Sequence, residues 1–300
     1  MIDIWVLLCY YGLMDYNYHR NHLIKSHKTH PYIVTAVSML NDVEDAVKNL
    51  CDEKITIQEY VDRITPYDKF LWSKKYEKVD ENETEKNPIK NIKNQKYASW
   101  REYKWAPIFY LVSKNLTDEW KQHPIQVIQN HQVIEMIYDS GYIGHKNVDG
   151  GLAIKTKLGL LPIIVVEDKA GNACSTTFGG VNGQGNRLHQ SFPDTIFVFI
   201  TDNNFNVGAK RGAEVGDNTN LIVLERGENK VKEDYPILKY ERFEEVKNGL
   251  VAKLNTMTPS QILDYQVLKS KTTGTLMSKF KNGILWNLWD LNIRYYNTQK

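Results

Sequence analysis

Two carboxylates and a lysine flank a predicted β-hairpin. Asp149 precedes a segment that alternates apolar and polar residues, whereas Glu167 and Lys169 follow a nearly unbroken apolar run. Alternation is typical of a half-exposed strand, and an unbroken apolar run of a strand covered on both faces. If the two strands pair, both carboxylates and the ammonium group lie at one end of the hairpin. Such a set suits the Mg²⁺-dependent hydrolysis of phosphodiesters, because Mg²⁺ binds one or two carboxylates together with phosphate oxygens.

The register of the hairpin decides whether the two carboxylates meet. The sequence predicts strands over residues 151–156 and 160–166, joined by a three-residue loop that ends at Gly159. Counting outward from this loop puts Asp149 opposite Glu167, with Cβ atoms about 4.5–5.5 Å apart. A two-residue loop would instead send Asp149 to the other face, since side chains alternate along a strand.

The same alternation predicts where the end of the second strand directs its side chains. Lys169 lies on the face of Glu167, and Asp168 lies on the opposite face. Pro162 cannot donate a ladder hydrogen bond, so it requires a bulge or a non-bonded position.

The Glu-x-Lys pattern alone carries little information. It also occurs elsewhere, for example at Glu119-Trp-Lys121, but there no buried strand precedes it and no aspartate stands at hairpin distance. The alternative interpretation of the hairpin is a plain turn after Asp149 and a solvated ion pair at a strand end.

An Asp followed by Glu-x-Lys on the neighbouring strand resembles the PD-(D/E)xK nuclease superfamily, with Val148 where the motif often has proline. Residues 147–171 are most similar to the catalytic hairpin of type II restriction endonucleases of the group that cuts GAATTC. A looser likeness extends through Gly185-Asn186-Arg187 and the segment 195–201.

The resemblance implies roles for individual residues. Asp149, Glu167 and the backbone carbonyl of Asp168 would hold Mg²⁺, while Lys169 would orient the attacking water and stabilise negative charge at phosphorus. It further implies double-stranded DNA as substrate, products with a 5′-phosphate and a 3′-hydroxyl, and a homodimer. A cognate DNA methyltransferase would belong to the same restriction-modification system without a required contact.

A further carboxylate precedes the hairpin. Residues 125–138, which follow Pro124, are predicted to form a helix that carries Glu135. Many members of the resembled superfamily have a carboxylate on the helix before the motif strand, where it bonds a metal-bound water. The alternative is an ordinary exposed glutamate.

Residues that could contact DNA follow the hairpin. The glycine-rich segment 179–190 lacks the lysine of a phosphate-binding loop, but it contains Gln184, Asn186 and Arg187. Asn or Gln can bond adenine bidentately, and Arg can bond guanine in the same way. The alternative is a flexible surface loop.

Two further strands are predicted, over residues 195–201 and 221–224, and the exposed pair Lys210-Arg211 between them suits phosphate contacts. Strands that alternate with crossovers predict an α/β fold, with a central mixed β-sheet flanked by helices. The resemblance makes this fold restriction-endonuclease-like, with additional N- and C-terminal helices.

The remaining elements complete a predicted single domain over residues 1–300, with its catalytic core at about 105–250. Residues 35–64 are predicted to be helical. The charged segment 73–100 is predicted to be a solvated loop, or alternatively a DNA-contacting arm. Residues 241–300 are predicted to form a helical extension, with an aromatic stretch at 285–296 that would pack or dimerise.

Composition limits the class of protein. Of the 300 residues 42% are hydrophobic, enough for one large domain, and 38 Lys and Arg against 36 Asp and Glu give no overall basic field. The scattered Cys9, Cys51 and Cys174 fit a reducing cytoplasm. The apolar segment 4–11 is too short to span a bilayer, so no membrane association is expected.

Three functions remain open on the sequence alone. The first is a type II restriction endonuclease. The second is a repair or recombination nuclease that has the same core and selects DNA by structure. The third is a catalytically silent DNA-binding or scaffold protein.

Overall fold

The chain folds around a mixed β-sheet with flanking helices, and it belongs to the α/β class. The computed structural model describes residues 16–25, 31–76, 88–129, 133–137, 143–156, 159–169, 175–202, 220–226 and 235–263. Within these ranges no helix combines the length and the apolar character that crossing a membrane requires.

The main elements of the described chain are seven helices and seven strands. In chain order they are α1 (Tyr16–Ile24), α2 (Pro31–Cys51), α3 (Ile57–Tyr76), α4 (Pro88–Lys114), α5 (Asp118–Lys121), β1 (Ile125–Gln129), β2 (Val133–Ile137), β3 (Ile143–Asn147), β4 (Gly150–Thr156), β5 (Gly159–Lys169), α6 (Ser175–Ser191), β6 (Ile196–Thr201), β7 (Leu221–Leu224) and α7 (Tyr240–Leu254).

The central sheet has five strands in the order β1-β4-β5-β6-β7. Strands β1, β4 and β5 pair antiparallel, whereas β5, β6 and β7 pair parallel. Strands β2 and β3 form a separate antiparallel pair. The mixed sheet predicted from the sequence is therefore confirmed, and so are the strands predicted at 195–201 and 221–224.

Helix α4 connects the helices to the sheet. It contacts α3 and α7 as well as β1 and β4. Its Trp100 and Trp105 side chains are fully buried, and the Trp105 ring stacks on Phe243 of α7 with centroids 4.0 Å apart. Buried residues of α4 therefore pack between the sheet on one side and helices α3 and α7 on the other.

The prediction of one helix over residues 35–64 is wrong in its middle, because α2 ends at Cys51 and α3 begins at Ile57. Glu53 adopts a positive φ of 57° between them. Thr56 and Glu59 form a reciprocal capping box: the Glu59 N–H donates to Thr56 Oγ1 over 3.1 Å, and the Thr56 N–H donates to Glu59 Oε2 over 2.7 Å. This Thr-x-x-Glu signal starts a new helix.

The prediction of a charged loop over residues 73–100 is wrong wherever the structure describes this segment. Residues 73–76 end α3, and residues 88–100 begin α4, with Pro88 at the first helical position. Tyr97 and Trp100 are fully buried. The segment is helical despite its charged composition, because its aromatic residues recur at the helical spacing and pack in the core.

The prediction of a helix over residues 125–138 is also wrong. The segment forms β1 and β2, so Glu135 stands on a strand, where it pairs in register with His145 of β3. The physical reason is its content of Ile and Val, whose branched side chains favour a pleated strand over a helix.

Helix α7 agrees with the helix predicted to follow residue 241. The rest of that predicted extension from residue 264, including the aromatic stretch 285–296, lies outside the described residues. The apolar segment 4–11 also lies outside them.

Candidate active site

The predicted hairpin forms from β4 and β5, but its connection is shorter than expected. Thr156 pairs with Gly159, so the loop has two residues instead of three. At the other end of the ladder Gly150 pairs with Val166, and the Asp149 N–H donates to the Val166 carbonyl over 3.2 Å. Asp149 thus stands level with Glu167, as predicted.

A β-bulge compensates for the short loop. Ala153 pairs with Pro162 while Leu152 pairs with Ile164, so Ile163 is an extra residue on β5. One residue fewer in the loop and one more in the strand leave the register at the site unchanged. The expectation that Pro162 requires an irregular position is consistent with this bulge.

The three predicted groups converge at the end of the hairpin. Lys169 Nζ lies 2.5 Å from Glu167 Oε1 and 4.0 Å from Asp149 Oδ2. The backbone N–H of Asp168 donates to Asp149 Oδ2 over 2.7 Å. The aspartate therefore bonds to the backbone of the Glu-x-Lys segment and lies near its lysine, an arrangement that a solvated pair at a strand end does not require.

The site opens to solvent at its lysine. The Glu167 side chain is 4% exposed and that of Asp149 16%, whereas that of Lys169 is 43% exposed. Burial disfavours the charge on Lys169, but Glu167 and Asp149 outweigh this effect and raise its pKa above the ordinary value. The lysine is therefore a cation near neutral pH, suited to neutralise an anion rather than to accept a proton.

Gly151 lets the two strands approach at the base of the site. Its φ is +137°, and a Cβ atom there would lie 2.0 Å from the Ile164 carbonyl oxygen. At Gly150 the nearest atom would be 3.6 Å away, an ordinary contact. Of the two glycines after Asp149, the second is thus the one that the geometry requires.

The Asp168 side chain lies on the face of β5 opposite to Glu167 and Lys169, as predicted, and it contacts the buried side chain of Arg101. Asp168 Oδ1 accepts hydrogen bonds from Arg101 Nε, over 2.9 Å, and from Arg101 Nη2. Nη2 also donates to the Lys169 carbonyl over 3.2 Å. Arg101 belongs to α4. This helix therefore contacts the site segment, residues 167–169, from the face of β5 opposite to Glu167 and Lys169.

Arg101 also joins the ends of three neighbouring strands. Besides Asp168 of β5, its Nη1 contacts Asp202 Oδ1 at 2.5 Å, directly after β6, and Glu225 Oε1 at 3.0 Å, directly after β7. These strands are parallel, so their carboxyl ends meet at one edge of the sheet. The Arg101 guanidinium group therefore links the carboxyl ends of β5, β6 and β7.

The contacts continue into a larger buried ionic cluster. Arg226 binds Asp68 through two nitrogens, at 2.8 and 3.1 Å, and Lys104 contacts Glu225 at 2.9 Å. Tyr235 and Trp100 also donate to Asp68. In the described chain the cluster has three cations and four carboxylates, namely Arg101, Lys104, Arg226, Asp68, Asp168, Asp202 and Glu225.

The pKa values of two carboxylates of this cluster change in opposite directions. Burial raises the pKa of Asp168 to about 7, although Arg101 opposes this change. Burial also acts to raise the pKa of Asp68, but Arg226 and Lys104 outweigh it and hold that pKa below the ordinary value. Of these two carboxylates, Asp68 is therefore the one that stays ionised to lower pH.

The donor set at the hairpin end fits a hard divalent cation. Within the described residues no group of three or more His, Cys, Asp and Glu side chains could hold a metal ion. Mg²⁺ does not require such a group, since one or two carboxylates, water and substrate phosphate complete its coordination. Asp149 and Glu167 supply the two carboxylates, beside the backbone carbonyl of Asp168.

The other predicted site residues have different outcomes. Gln184, Asn186 and Arg187 lie on α6, the helix that follows β5, rather than on a loop. Asn186 and Arg187 are exposed and Gln184 is half-buried, while Val181 and Leu188 face the core. Lys210 and Arg211 lie outside the described residues, and so does the side chain of Glu135.

Sequence reasoning missed Arg101, the residue that contacts the site segment from behind. It stands next to a segment whose charge suggested a solvated loop, although its neighbours Tyr97, Trp100 and Lys104 are buried at helical spacing. That spacing was the available signal for a buried helix face. The pairing of Arg101 with Asp168 has no local signal, because 67 residues separate them.

No family model matches the chain, and no curated protein matches it either. The functional interpretation therefore depends on the geometry of these residues.

Proposed function

We propose that this chain is a Mg²⁺-dependent DNA endonuclease of the type II restriction class with a restriction-endonuclease-like core. It would act as a homodimer in the cytoplasm and make double-strand breaks at a short sequence. A DNA methyltransferase would protect the host's own copies of that sequence.

One observation carries the proposal. Lys169 Nζ lies within 4.0 Å of both Asp149 and Glu167 at the partly exposed end of a hairpin. Two acidic groups beside one cation can bind a metal ion and still present a positive charge to a phosphate. An exposed ion pair that serves only solubility does not require the bond from the Asp168 N–H to Asp149.

The mechanism follows from the position of each group. Asp149, Glu167 and the Asp168 carbonyl would hold Mg²⁺, which, when bound, polarises the scissile phosphate and makes a hydroxide available near neutral pH. The ammonium group of Lys169 would orient the attacking water and stabilise charge at phosphorus. By the pattern of the resembled superfamily, the products carry a 5′-phosphate and a 3′-hydroxyl.

The residues for DNA contact remain predictions. Gln184, Asn186 and Arg187 would read base edges from α6, and Lys210 and Arg211 would bind phosphates. Glu135 would bond a metal-bound water, now from a strand instead of a helix.

Digestion of unmethylated phage DNA by the purified chain tests the proposal, with Mg²⁺ or with EDTA. The expected result is a set of discrete bands that require Mg²⁺, and sequencing of their ends gives the site. A smear would favour a nuclease that selects DNA by structure. Absence of cleavage by well-folded protein on several DNAs would favour a catalytically silent binding protein.

A further inference from the structure

The backbone between Glu167 and Lys169 is held by contacts from two different elements. From the residue before β4, Asp149 Oδ2 accepts a hydrogen bond of 2.7 Å from the Asp168 N–H. From α4, Arg101 donates to the Asp168 carboxylate and to the Lys169 carbonyl, over 2.9 and 3.2 Å.

Arg101 is well suited to fix this segment. Its side chain is only 2% exposed, and it also bonds to Asp202 and Glu225, at the ends of the two neighbouring strands. A planar guanidinium group can serve several acceptors at fixed angles, which a lysine cannot do. Its contacts therefore set the position of β5 relative to β6 and β7 at the edge where the site lies.

We propose that Arg101, acting through Asp168, is a positioning residue that holds the Glu167–Lys169 segment in the geometry that binds the metal ion. The inference rests on the proposed function for the assignment of Asp149, Glu167 and the Asp168 carbonyl as metal ligands. A shift of this short segment displaces two of those ligands and Lys169 together. Groups that orient metal ligands typically contribute about 10–100-fold to metal affinity.

The test measures Mn²⁺ affinity without DNA, by electron paramagnetic resonance of the free ion, beside thermal unfolding of the same samples. Asp168→Ala removes the bonds from Arg101 to the Asp168 carboxylate and leaves only the 3.2 Å bond from Arg101 to the Lys169 carbonyl. It leaves three cations and three carboxylates in the buried cluster, and Arg101 remains paired with Asp202 and Glu225. Arg101→Lys keeps the charge and removes the planar fork.

Arg226→Lys is the matched control. Arg226 is an equally buried arginine of the same cluster, bonded to Asp68, Asp202, Tyr97 and the Pro236 carbonyl. None of its bonds within the described chain reaches residues 167–169. The Arg226→Lys variant should therefore lower the stability of the cluster without moving residues 167–169.

We expect Asp168→Ala to lower the melting temperature, because buried Arg101 loses an anion, and to bind Mn²⁺ at least about tenfold more weakly at temperatures below its unfolding transition. Arg101→Lys should weaken Mn²⁺ binding similarly, whereas Arg226→Lys should lower the melting temperature and leave Mn²⁺ affinity within about twofold. If Arg101→Lys does not fold, Asp168→Ala decides the test.

Unchanged Mn²⁺ affinity in Asp168→Ala would overturn the inference, and so would an equal loss of affinity in Arg226→Lys. Absence of Mn²⁺ binding by the wild type would overturn it as well. If the wild type binds Mn²⁺, the variants weaken this binding as expected, and no DNA is cleaved, the positioning role stands and the proposed nuclease function fails.

Discussion

The backbone N–H of Asp168 donates a 2.7 Å hydrogen bond to Asp149 Oδ2, which ties the residue before β4 to the segment that ends β5. The bond lies just beyond the last strand pair of the hairpin, next to the backbone bond from the Asp149 N–H to the Val166 carbonyl. It brings Asp149 beside Glu167 and Lys169, and it explains why residues 18 and 20 positions apart in sequence form one site. Substitutions that disturb this arrangement or its supports should therefore alter stability, metal binding or cleavage.

Replacement of Gly151 by alanine should damage the site, and replacement of Gly150 should not. Gly151 has φ +137° and no room for a Cβ atom, so Gly151→Ala should cost about 1–3 kcal/mol from the backbone conformation alone. The clash with the Ile164 carbonyl adds to that cost and displaces Asp149. Chemical denaturation measures the stability, and cleavage assays measure the activity.

Gly150→Ala is the control, because its added Cβ would make only ordinary contacts, the nearest at 3.6 Å. Equal stability and activity of the two alanine variants would contradict the close approach of β4 and β5.

Replacement of Glu167 should remove metal binding. Glu167→Gln keeps the size of the side chain but loses its negative charge, so Mn²⁺ affinity and Mg²⁺-dependent cleavage should both fall by at least about tenfold. Titration with Mn²⁺ and a cleavage assay measure the two effects.

The chain offers a matched control in another Glu-x-Lys segment, Glu119-Trp-Lys121 on α5. Glu119 is exposed there and has no paired strand with an aspartate, so Glu119→Gln should leave metal binding unchanged. Loss of Mn²⁺ binding in both variants would mean that the hairpin is not the metal site.

The register of the hairpin was predictable from the sequence, but the way in which the chain achieves it was not. The pairing of Asp149 with Glu167 was predicted correctly, although the loop is shorter than expected and the bulge at Ile163 restores the register. Neither deviation changes the alternation of apolar residues, so the pattern alone could not reveal them.

The two errors at residues 125–138 and 73–100 have different physical origins. The helix predicted over residues 125–138 follows the spacing of the apolar residues, but their Ile and Val content favours the strands that form there. At residues 73–100 charge suggested solvent exposure, yet Arg101 of the same helix α4 is buried. A buried charge is stable only with partners, and its partners Asp168, Asp202 and Glu225 are distant in sequence. Tertiary partners of this kind have no local signature.

One carboxylate of the buried cluster, Asp68, predicts how stability depends on pH in the acid range. The pKa of Asp68 is below its ordinary value in the folded chain. Its contribution to stability is therefore fully present above pH of about 4, the ordinary pKa of aspartate, and is lost as pH falls below that value. Asp68→Asn should destabilise the protein by about 3–5 kcal/mol at pH 7, because Arg226 and Lys104 lose a buried anion.

Denaturant unfolding at pH 7 and at several pH values between 2 and 5 measures both effects. The variant should lose less stability on acidification than the wild type. Asp45→Asn is the control, since Asp45 pairs with Arg63 at the surface and its side chain is 58% exposed, so little change is expected. A shallow acid dependence in the wild type would show that Asp68 is not the ionised anchor of the cluster.

Arg187 should contribute to base recognition. It is exposed on α6, the helix that follows the Glu-x-Lys strand, and loss of a bidentate contact to guanine costs about 1–3 kcal/mol of discrimination. Once the cleavage site is sequenced, binding of Arg187→Ala to this site and to single-base variants can be compared in Ca²⁺.

Arg242→Ala serves as the control for charge, because Arg242 is an exposed arginine on α7 that pairs with Glu245. If Arg187→Ala distinguishes the cleavage site from its single-base variants as well as the wild type does, Arg187 does not take part in base recognition.

The most direct test of the central claim compares wild type, Lys169→Ala and Lys121→Ala on unmethylated phage DNA with Mg²⁺. Lys121 ends the exposed Glu-x-Lys segment of α5, so its replacement should leave cleavage intact. Lys169→Ala should lose at least about 100-fold in cleavage rate, because a charge that stabilises the transition state is removed. It should still bind the same DNA without Mg²⁺. Discrete Mg²⁺-dependent fragments that disappear in Lys169→Ala alone are the predicted result, and normal cleavage by Lys169→Ala would contradict the account.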